Sequence, residues 1–134
     1  MNDTLRVLNH TNKVALVIED SPTQALNLQD VLERAGLLVV CATNGYIGIQ
    51  LARQTQPALI VLDVQMPGIN GFEVCEKLKK APETTEIPII MFTRNDTPEA
   101  LQMGLASGVV DYIPKDAFAT AVLLETIRQM GLIN

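Results

Sequence analysis

Tryptophan is absent from this sequence, and aromatic residues make up only 4% of its 134 positions. Histidine occurs once, as His10, in a polar N-terminal stretch, which argues against a histidine-based catalytic triad or zinc site. Cysteine occurs twice, as Cys41 and Cys75, without the close spacing of metal or redox motifs. We therefore expect two buried or half-buried free thiols in a reducing compartment.

Positive charge is also in short supply. Lysine and arginine together number 10 against 15 acids, which gives a net charge of −5 at pH 7. A nucleic-acid surface normally needs clustered positive charge to neutralise phosphates. The composition therefore predicts no direct binding of nucleic acid by this chain.

Long apolar runs are missing as well. No stretch approaches the roughly 20 apolar residues that a membrane span requires. The polar residues 1–12 lack the apolar segment of a signal peptide, and we interpret them as a flexible leader. Residues 13–134, in a chain that is 48% hydrophobic, predict one globular domain located in the cytoplasm.

The most informative stretch runs from Pro57 to Gly68. Five apolar residues, Ala58–Leu62, suit a strand that is buried on both faces, and Asp63 follows them directly. Pro67-Gly68 then predicts a turn. A carboxylate thus stands where a buried strand ends, which in open parallel sheets is where ligands bind.

Strand and helix patterns alternate five times along the chain. Apolar strand-like runs lie near residues 13–20, 37–42, 58–62, 87–92 and 109–113, with amphipathic helical spacing after each. Ser21 with Gln24 predicts a capping box at the first helix, and Asp116 predicts the cap of a last helix over 117–130. We predict an α/β, flavodoxin-like, doubly wound fold with a five-stranded parallel sheet in the order 2-1-3-4-5 and helices on both faces.

Charged and hydroxyl side chains follow four of the five predicted strands, namely Glu19, Asp20, Asp63, Thr93 and Lys115. The topology would bring them to one edge of the sheet. Clustered carboxylates repel each other, and Mg²⁺ would relieve that repulsion. Acids for a metal ion, one cation and one hydroxyl together predict a site for a phosphoryl group.

These motifs, in this order, resemble the CheY-like receiver domain of two-component response regulators. The matching residues are Glu19-Asp20, Asp63 followed by Met66-Pro67-Gly68, Thr93, and the segment from Asp111 to Lys115. The resemblance extends from Lys13 almost to the C-terminus.

The resemblance implies that Asp63 is the phospho-acceptor, taking a phosphoryl group from a histidine kinase. It also implies that Glu19, Asp20, Asp63 and the backbone carbonyl of Gln65 bind Mg²⁺. The implied role is phosphorelay signalling, in which the domain assists its own phosphorylation and dephosphorylation but is not otherwise an enzyme.

The resemblance further implies that Lys115 and Thr93 stabilise the phosphoryl group, and that Thr93 and Tyr112 form a switch. The surface of the fourth helix, fifth strand and fifth helix would then bind a downstream protein or a second copy of the chain. A length of 134 residues favours a stand-alone regulator or phosphorelay intermediate, supplied by a sensor histidine kinase or phosphotransfer protein.

Several alternatives remain open at this point. Glu19 and Asp20 could be ordinary helix N-terminal acids, and Tyr112 an ordinary strand aromatic. Arg94 follows Thr93 where the family usually has a small residue, so it could cover the site. Asp116 stands where the family usually has proline. A receiver-fold interaction module that works without phosphorylation is therefore the main alternative, and an enzyme or flavin binder on the same fold is the second.

Overall fold

A computed structural model of the chain describes residues 13–134, so the predicted leader, residues 1–12, lies outside the described residues. Five strands alternate with five helices in this part of the chain. In chain order they are β1 (Val14–Ile18), α1 (Pro22–Arg34), β2 (Leu38–Ala42), α2 (Gly45–Thr55), β3 (Leu59–Leu62), α3 (Gly71–Lys80), β4 (Ile89–Thr93), α4 (Pro98–Ala106), β5 (Asp111–Pro114) and α5 (Ala119–Gln129).

All strand pairs are parallel, and the sheet has the order β2-β1-β3-β4-β5. The predicted flavodoxin-like α/β fold is confirmed. Ile18 of β1 pairs with Leu62 of β3, so the residues that follow these strands, Glu19 and Asp63, are neighbours in space. The sheet order changes direction between β1 and β3, which places both acids at the switch point where open α/β sheets bind ligands.

The three inner strands, β1, β3 and β4, are buried on both faces. Side chains such as Leu16, Ile18 and Ile60 face one core, which α2, α3 and α4 complete. Alternate residues such as Val17 and Val61 face a second core, which α1 and α5 complete. Because burial of each large aliphatic side chain contributes about 1.5–3 kcal/mol, these layers can support a cluster of like charges at the sheet edge.

Side-chain caps fix the start of several helices. Asn70 and Glu73 form the complete capping box of α3, and Thr97 caps α4 by accepting a hydrogen bond from the Ala100 N–H. At α1 only half of the predicted box exists. The Ser21 hydroxyl accepts from the Gln24 N–H at 3.3 Å, but the Ser21 N–H donates to Glu19 Oε2 instead of to Gln24.

Two sequence-based expectations are wrong. The last helix begins at Ala119 after Phe118 and not at Ala117, because the Asp116 carboxylate accepts the Phe118 N–H at 2.8 Å and forms a local turn before the helix. Cys41 is exposed, because β2 is an edge strand, whereas Cys75 is buried as expected. No helix among residues 13–134 is long and apolar enough to cross a membrane.

Candidate functional site

Three carboxylates meet at the carboxyl edge of the sheet. Glu19, Asp20 and Asp63 each place one oxygen within 4.8 Å of the others. Glu19 and Asp63 are only 4% and 7% exposed, and Asp20 is half-buried. Buried carboxylates this close repel one another strongly when ionised, and oxygen ligands grouped in this way suit a hard divalent cation.

Backbone contacts hold Asp63 in place. Its N–H donates to the Ile18 carbonyl at 3.0 Å, and its Oδ1 accepts from the Gln65 N–H at 3.1 Å. The start of α3 packs directly against the backbone of Asp63. This close approach requires Gly71, because a Cβ added there would lie only 2.5 Å from the Asp63 carbonyl oxygen. Gln65 thus lies beside the carboxylate, while the metal-binding role of its own carbonyl remains a prediction.

Glu19 is bonded through both carboxylate oxygens. Oε2 accepts from the Ser21 N–H at 3.1 Å, and Oε1 lies 2.7 Å from Lys115 Nζ. Burial raises the pKa of Glu19 above its ordinary value, although these two hydrogen bonds oppose the shift, and the negative charge of Asp63 adds to it. Ionisation of Glu19 is therefore less favourable here than in water, and added positive charge would favour it.

Lys115 places a positively charged side chain beside the acids. Its backbone N–H donates to the Thr93 carbonyl at 2.8 Å, which ties the end of β5 to the end of β4. Its ammonium lies 3.7 Å from Asp63 Oδ2 and 5.5 Å from the centre of the Phe92 ring. It also donates to Gln24 Oε1, a contact that the sequence pattern does not reveal, because Gln24 fits a helix-capping motif.

Thr93 and Tyr112 are connected through the loop that follows β4. Thr93 is fully buried, and its hydroxyl accepts the Asn95 N–H at 3.3 Å. The Tyr112 hydroxyl donates to the Asn95 carbonyl at 2.6 Å. Burial, with the negative charges of Asp63 and Asp96, raises the pKa of Tyr112, so the hydroxyl remains a donor. Asn95 was not predicted, because it contributes only backbone groups to this link.

Arg94 directly follows Thr93, the last residue of β4, and lies toward α1 and α5. It is exposed and contributes to a groove between α1 and α5 that also reaches Lys115. The residues that line the groove are Gln24, Asn27, Leu28, Val31, Phe92, Arg94, Lys115, Asp116, Ala119 and Thr120. Of the charged site residues, the groove is lined by Lys115 but by none of the three acids, and the role of Arg94 as a cover stays a prediction.

An acidic cluster at the β1/β3 switch point, a lysine after β5 and a buried threonine at the end of β4 together define the site of a receiver domain. The family model "Response regulator receiver domain" matches residues 15–128, and the chain belongs to that family. The resemblance noted in the sequence is therefore confirmed.

Curated relatives agree with this assignment. The chain is 39% identical over 113 residues to "Protein PilH" of Pseudomonas aeruginosa, covering 84% of this chain and 93% of PilH. It is 44% identical over 101 residues to "Transcriptional regulatory protein AfsQ1" of Streptomyces coelicolor, covering 75% of this chain but only 43% of AfsQ1. The similarity to AfsQ1 is thus confined to part of that protein.

Solved structures show the same fold. A putative response regulator from Chloroflexus aurantiacus superimposes with a TM-score of 0.82 at 29% identity, over 89% of this chain and 97% of that one. Chemotaxis protein CheY4 of Vibrio cholerae superimposes with a TM-score of 0.79 at 28% identity, over 87% of this chain and 97% of that one. The chain is thus a signalling domain of the two-component response regulator class.

Proposed function

We propose that this domain accepts a phosphoryl group on Asp63 from a phosphohistidine of a sensor histidine kinase or phosphotransfer protein. One observation carries the proposal: the buried Asp63 carboxylate lies within 4.8 Å of two further acids and 3.7 Å from the Lys115 ammonium. This arrangement combines a nucleophile, a place for a cation and a fixed positive charge, which are the elements of phosphoryl transfer.

Glu19, Asp20 and Asp63 would hold Mg²⁺, with the backbone carbonyl of Gln65 as a fourth ligand. The donor set fits this ion, because it consists of oxygens from acids, two of which are buried. When bound, Mg²⁺ supplies positive charge that neutralises both the acids and the phosphoryl oxygens.

An Asp63 carboxylate oxygen attacks phosphorus, the bond between phosphorus and the donor's imidazole nitrogen breaks, and an acyl phosphate forms. Lys115 and the Thr93 hydroxyl donate hydrogen bonds to the phosphoryl oxygens, which carry the transferred negative charge. The Thr93 hydroxyl oxygen accepts the Asn95 N–H, so a movement of Thr93 toward the phosphoryl group would also act on Asn95. Because Tyr112 is bonded to the same residue, the loop after β4 transmits the change to α4 and β5.

The surface formed by α4, β5 and α5 is proposed as the output surface. It exposes apolar side chains from these elements and their connections, including Leu105 at 52% exposed and Phe118 at 74%. Such side chains are typical of protein-binding surfaces. A downstream protein or a second copy of this domain would bind there, and we place the protein in the cytoplasm.

Phosphorylation is tested by incubating the protein with acetyl phosphate and Mg²⁺ and measuring its intact mass. We expect one added phosphoryl group in the wild type and in Asp30→Asn, an exposed control on α1. We expect none in Asp63→Asn or when Mg²⁺ is chelated. The same added mass on Asp63→Asn would refute Asp63 as the acceptor.

A second function, partner binding without phosphorylation, is supported by one observation: the exposed Arg94 guanidinium shares a groove with Lys115, where it can impede a phosphodonor. Under this function Asp63→Asn would bind its partner as the wild type does, and Mg²⁺ would have no measurable affinity. Calorimetric titration with Mg²⁺ distinguishes the two functions.

A further inference from the structure

We propose that Gln24 is a positioning residue that anchors the Lys115 ammonium for phosphoryl transfer. The inference rests on the proposed function of Asp63. Gln24 lies in the first turn of α1, and its side-chain carbonyl oxygen accepts a hydrogen bond from Lys115 Nζ across 91 positions of the sequence. A long lysine side chain would otherwise be free to adopt many conformations around the site.

The ammonium has three hydrogen-bond donors, and two of them are committed. One donates to Glu19 Oε1 at 2.7 Å and one to Gln24. The remaining group faces Asp63 Oδ2 at 3.7 Å, which is too long for a hydrogen bond. The ammonium thus lies beside the carboxylate without being hydrogen-bonded to it, so its third donor is available to an oxygen of a phosphoryl group carried by Asp63.

Of the two anchors, Gln24 is the one that does not depend on the metal ion. Glu19 belongs to the acidic cluster, so Mg²⁺ would compete with Lys115 for the Glu19 carboxylate. The Gln24 amide has no such competitor. Because it is neutral, it orients the ammonium without cancelling the positive charge that the phosphoryl group requires.

Gln24 is itself well placed to act as an anchor. Its backbone N–H is bonded to the Ser21 hydroxyl at 3.3 Å, which fixes the first turn of α1. The Phe92 ring, 5.5 Å below the ammonium, closes the side facing the core. Lys115 is consequently only 14% exposed while keeping one face toward Asp63.

The test compares Gln24→Met with Gln29→Met. Methionine retains the length of glutamine and favours a helix, but lacks the amide oxygen. Gln29 is a matched control, because it is also half-buried on α1 but contacts Glu33 and Cys41 instead of Lys115. With acetyl phosphate and Mg²⁺, we expect Gln24→Met to be phosphorylated about tenfold more slowly, the scale of a lost hydrogen bond to a charged group. Gln29→Met should match the wild type.

A double-mutant cycle separates positioning from a general structural effect. In a Lys115→Met background, Gln24→Met should cause no further loss of rate, because there is no ammonium left to position. An equal loss in both backgrounds, an equal loss in Gln29→Met, or a wild-type rate in Gln24→Met would each overturn the inference. Absence of phosphorylation in the wild type would instead refute the proposed function itself.

Discussion

At the scale of single residues, the Asp63 carboxylate lies close to two further acids and to one ammonium. It is 7% exposed, and it shares the edge of the sheet with Glu19 and Asp20. Lys115 offsets part of the repulsion, but its ammonium is nearer to Glu19 at 2.7 Å than to Asp63 at 3.7 Å. The site therefore stores unfavourable electrostatic energy that a bound cation would release.

Removing the charge of Asp63 should consequently stabilise the metal-free protein. We expect Asp63→Asn to raise the free energy of unfolding by about 1 kcal/mol, since the substituted amide can still accept the Gln65 N–H while repelling neither acidic neighbour. Urea denaturation in the presence of a chelator measures this change. Asp30→Asn, which loses only an exposed ion pair with Arg34, is the control and should change little. A less stable Asp63→Asn protein would contradict the expectation.

At the scale of secondary-structure elements, α4 and β5 pack closely where Gly104 of α4 faces the Tyr112 ring of β5. A Cβ added to Gly104 would lie 2.3 Å from Cδ2 of the Tyr112 ring, which is far inside contact distance. The missing side chain on α4 thus provides the space in which Tyr112 is buried. With its ring there, the Tyr112 hydroxyl reaches the Asn95 carbonyl.

Gly104→Ala should therefore force the Tyr112 ring outward or displace α4. Alanine gains about 1 kcal/mol of helix propensity, but overpacking costs about 1–3 kcal/mol, so we expect a net loss of roughly 1 kcal/mol. The ring position can be followed by tetranitromethane nitration in a Tyr46→Phe background, since the chain has only 2 tyrosines.

In that background, Gly104→Ala should increase the nitration of Tyr112 and decrease stability. Adding Tyr112→Ala to Gly104→Ala provides the control: with the ring absent, the glycine-to-alanine change should become stabilising. Unchanged nitration together with unchanged stability would show that the contact is not restrictive.

At the scale of the whole molecule, a folded core of aliphatic layers supports a charged edge that is not optimal for stability. Two sets of helices cover the two faces of the sheet, and the central strands are almost fully buried. The unfavourable charges are concentrated where the strands end. Global stability should therefore depend on the protonation and metal occupancy of that edge.

This dependence has a definite sign for Glu19. Burial raises its pKa in the folded state, so the folded protein binds this proton more tightly than the unfolded chain does. The resulting stabilisation is fully present below the unfolded pKa, about 4.3, and is lost as pH rises through the raised folded value.

Without metal, Glu19→Gln should therefore exceed the wild type in stability at pH 7, and the difference should shrink as pH falls. Saturating Mg²⁺ should reverse the order at pH 7, because the wild type offers the ion three carboxylates and the variant only two, so the wild type binds it more tightly. Thermal unfolding of both proteins from pH 7 to pH 4.5, with and without Mg²⁺, measures these differences. A gap that does not change with pH would contradict the assignment of the shift to Glu19.

The amino-acid sequence by itself determined the class of fold and the residues at the strand ends. Apolar runs marked the strands, and the cap residue Ser21 marked the start of α1. Once alternating strands and helices imply a parallel sheet, the meeting of Glu19, Asp20 and Asp63 follows from topology alone. These signals are local or periodic, which is why they can be read along the chain.

Only the tertiary structure decided which partner each side chain chose. Ser21 and Gln24 fit a capping box, yet Glu19 binds the Ser21 N–H and Gln24 binds Lys115. Likewise, the link from Tyr112 to Asn95 and the space above Gly104 have no signal in the sequence. Some of these contacts, such as the one between Gln24 and Lys115, join residues far apart along the chain. In the local ones, several hydrogen-bond partners compete, and the choice depends on small differences in distance that only the folded structure sets.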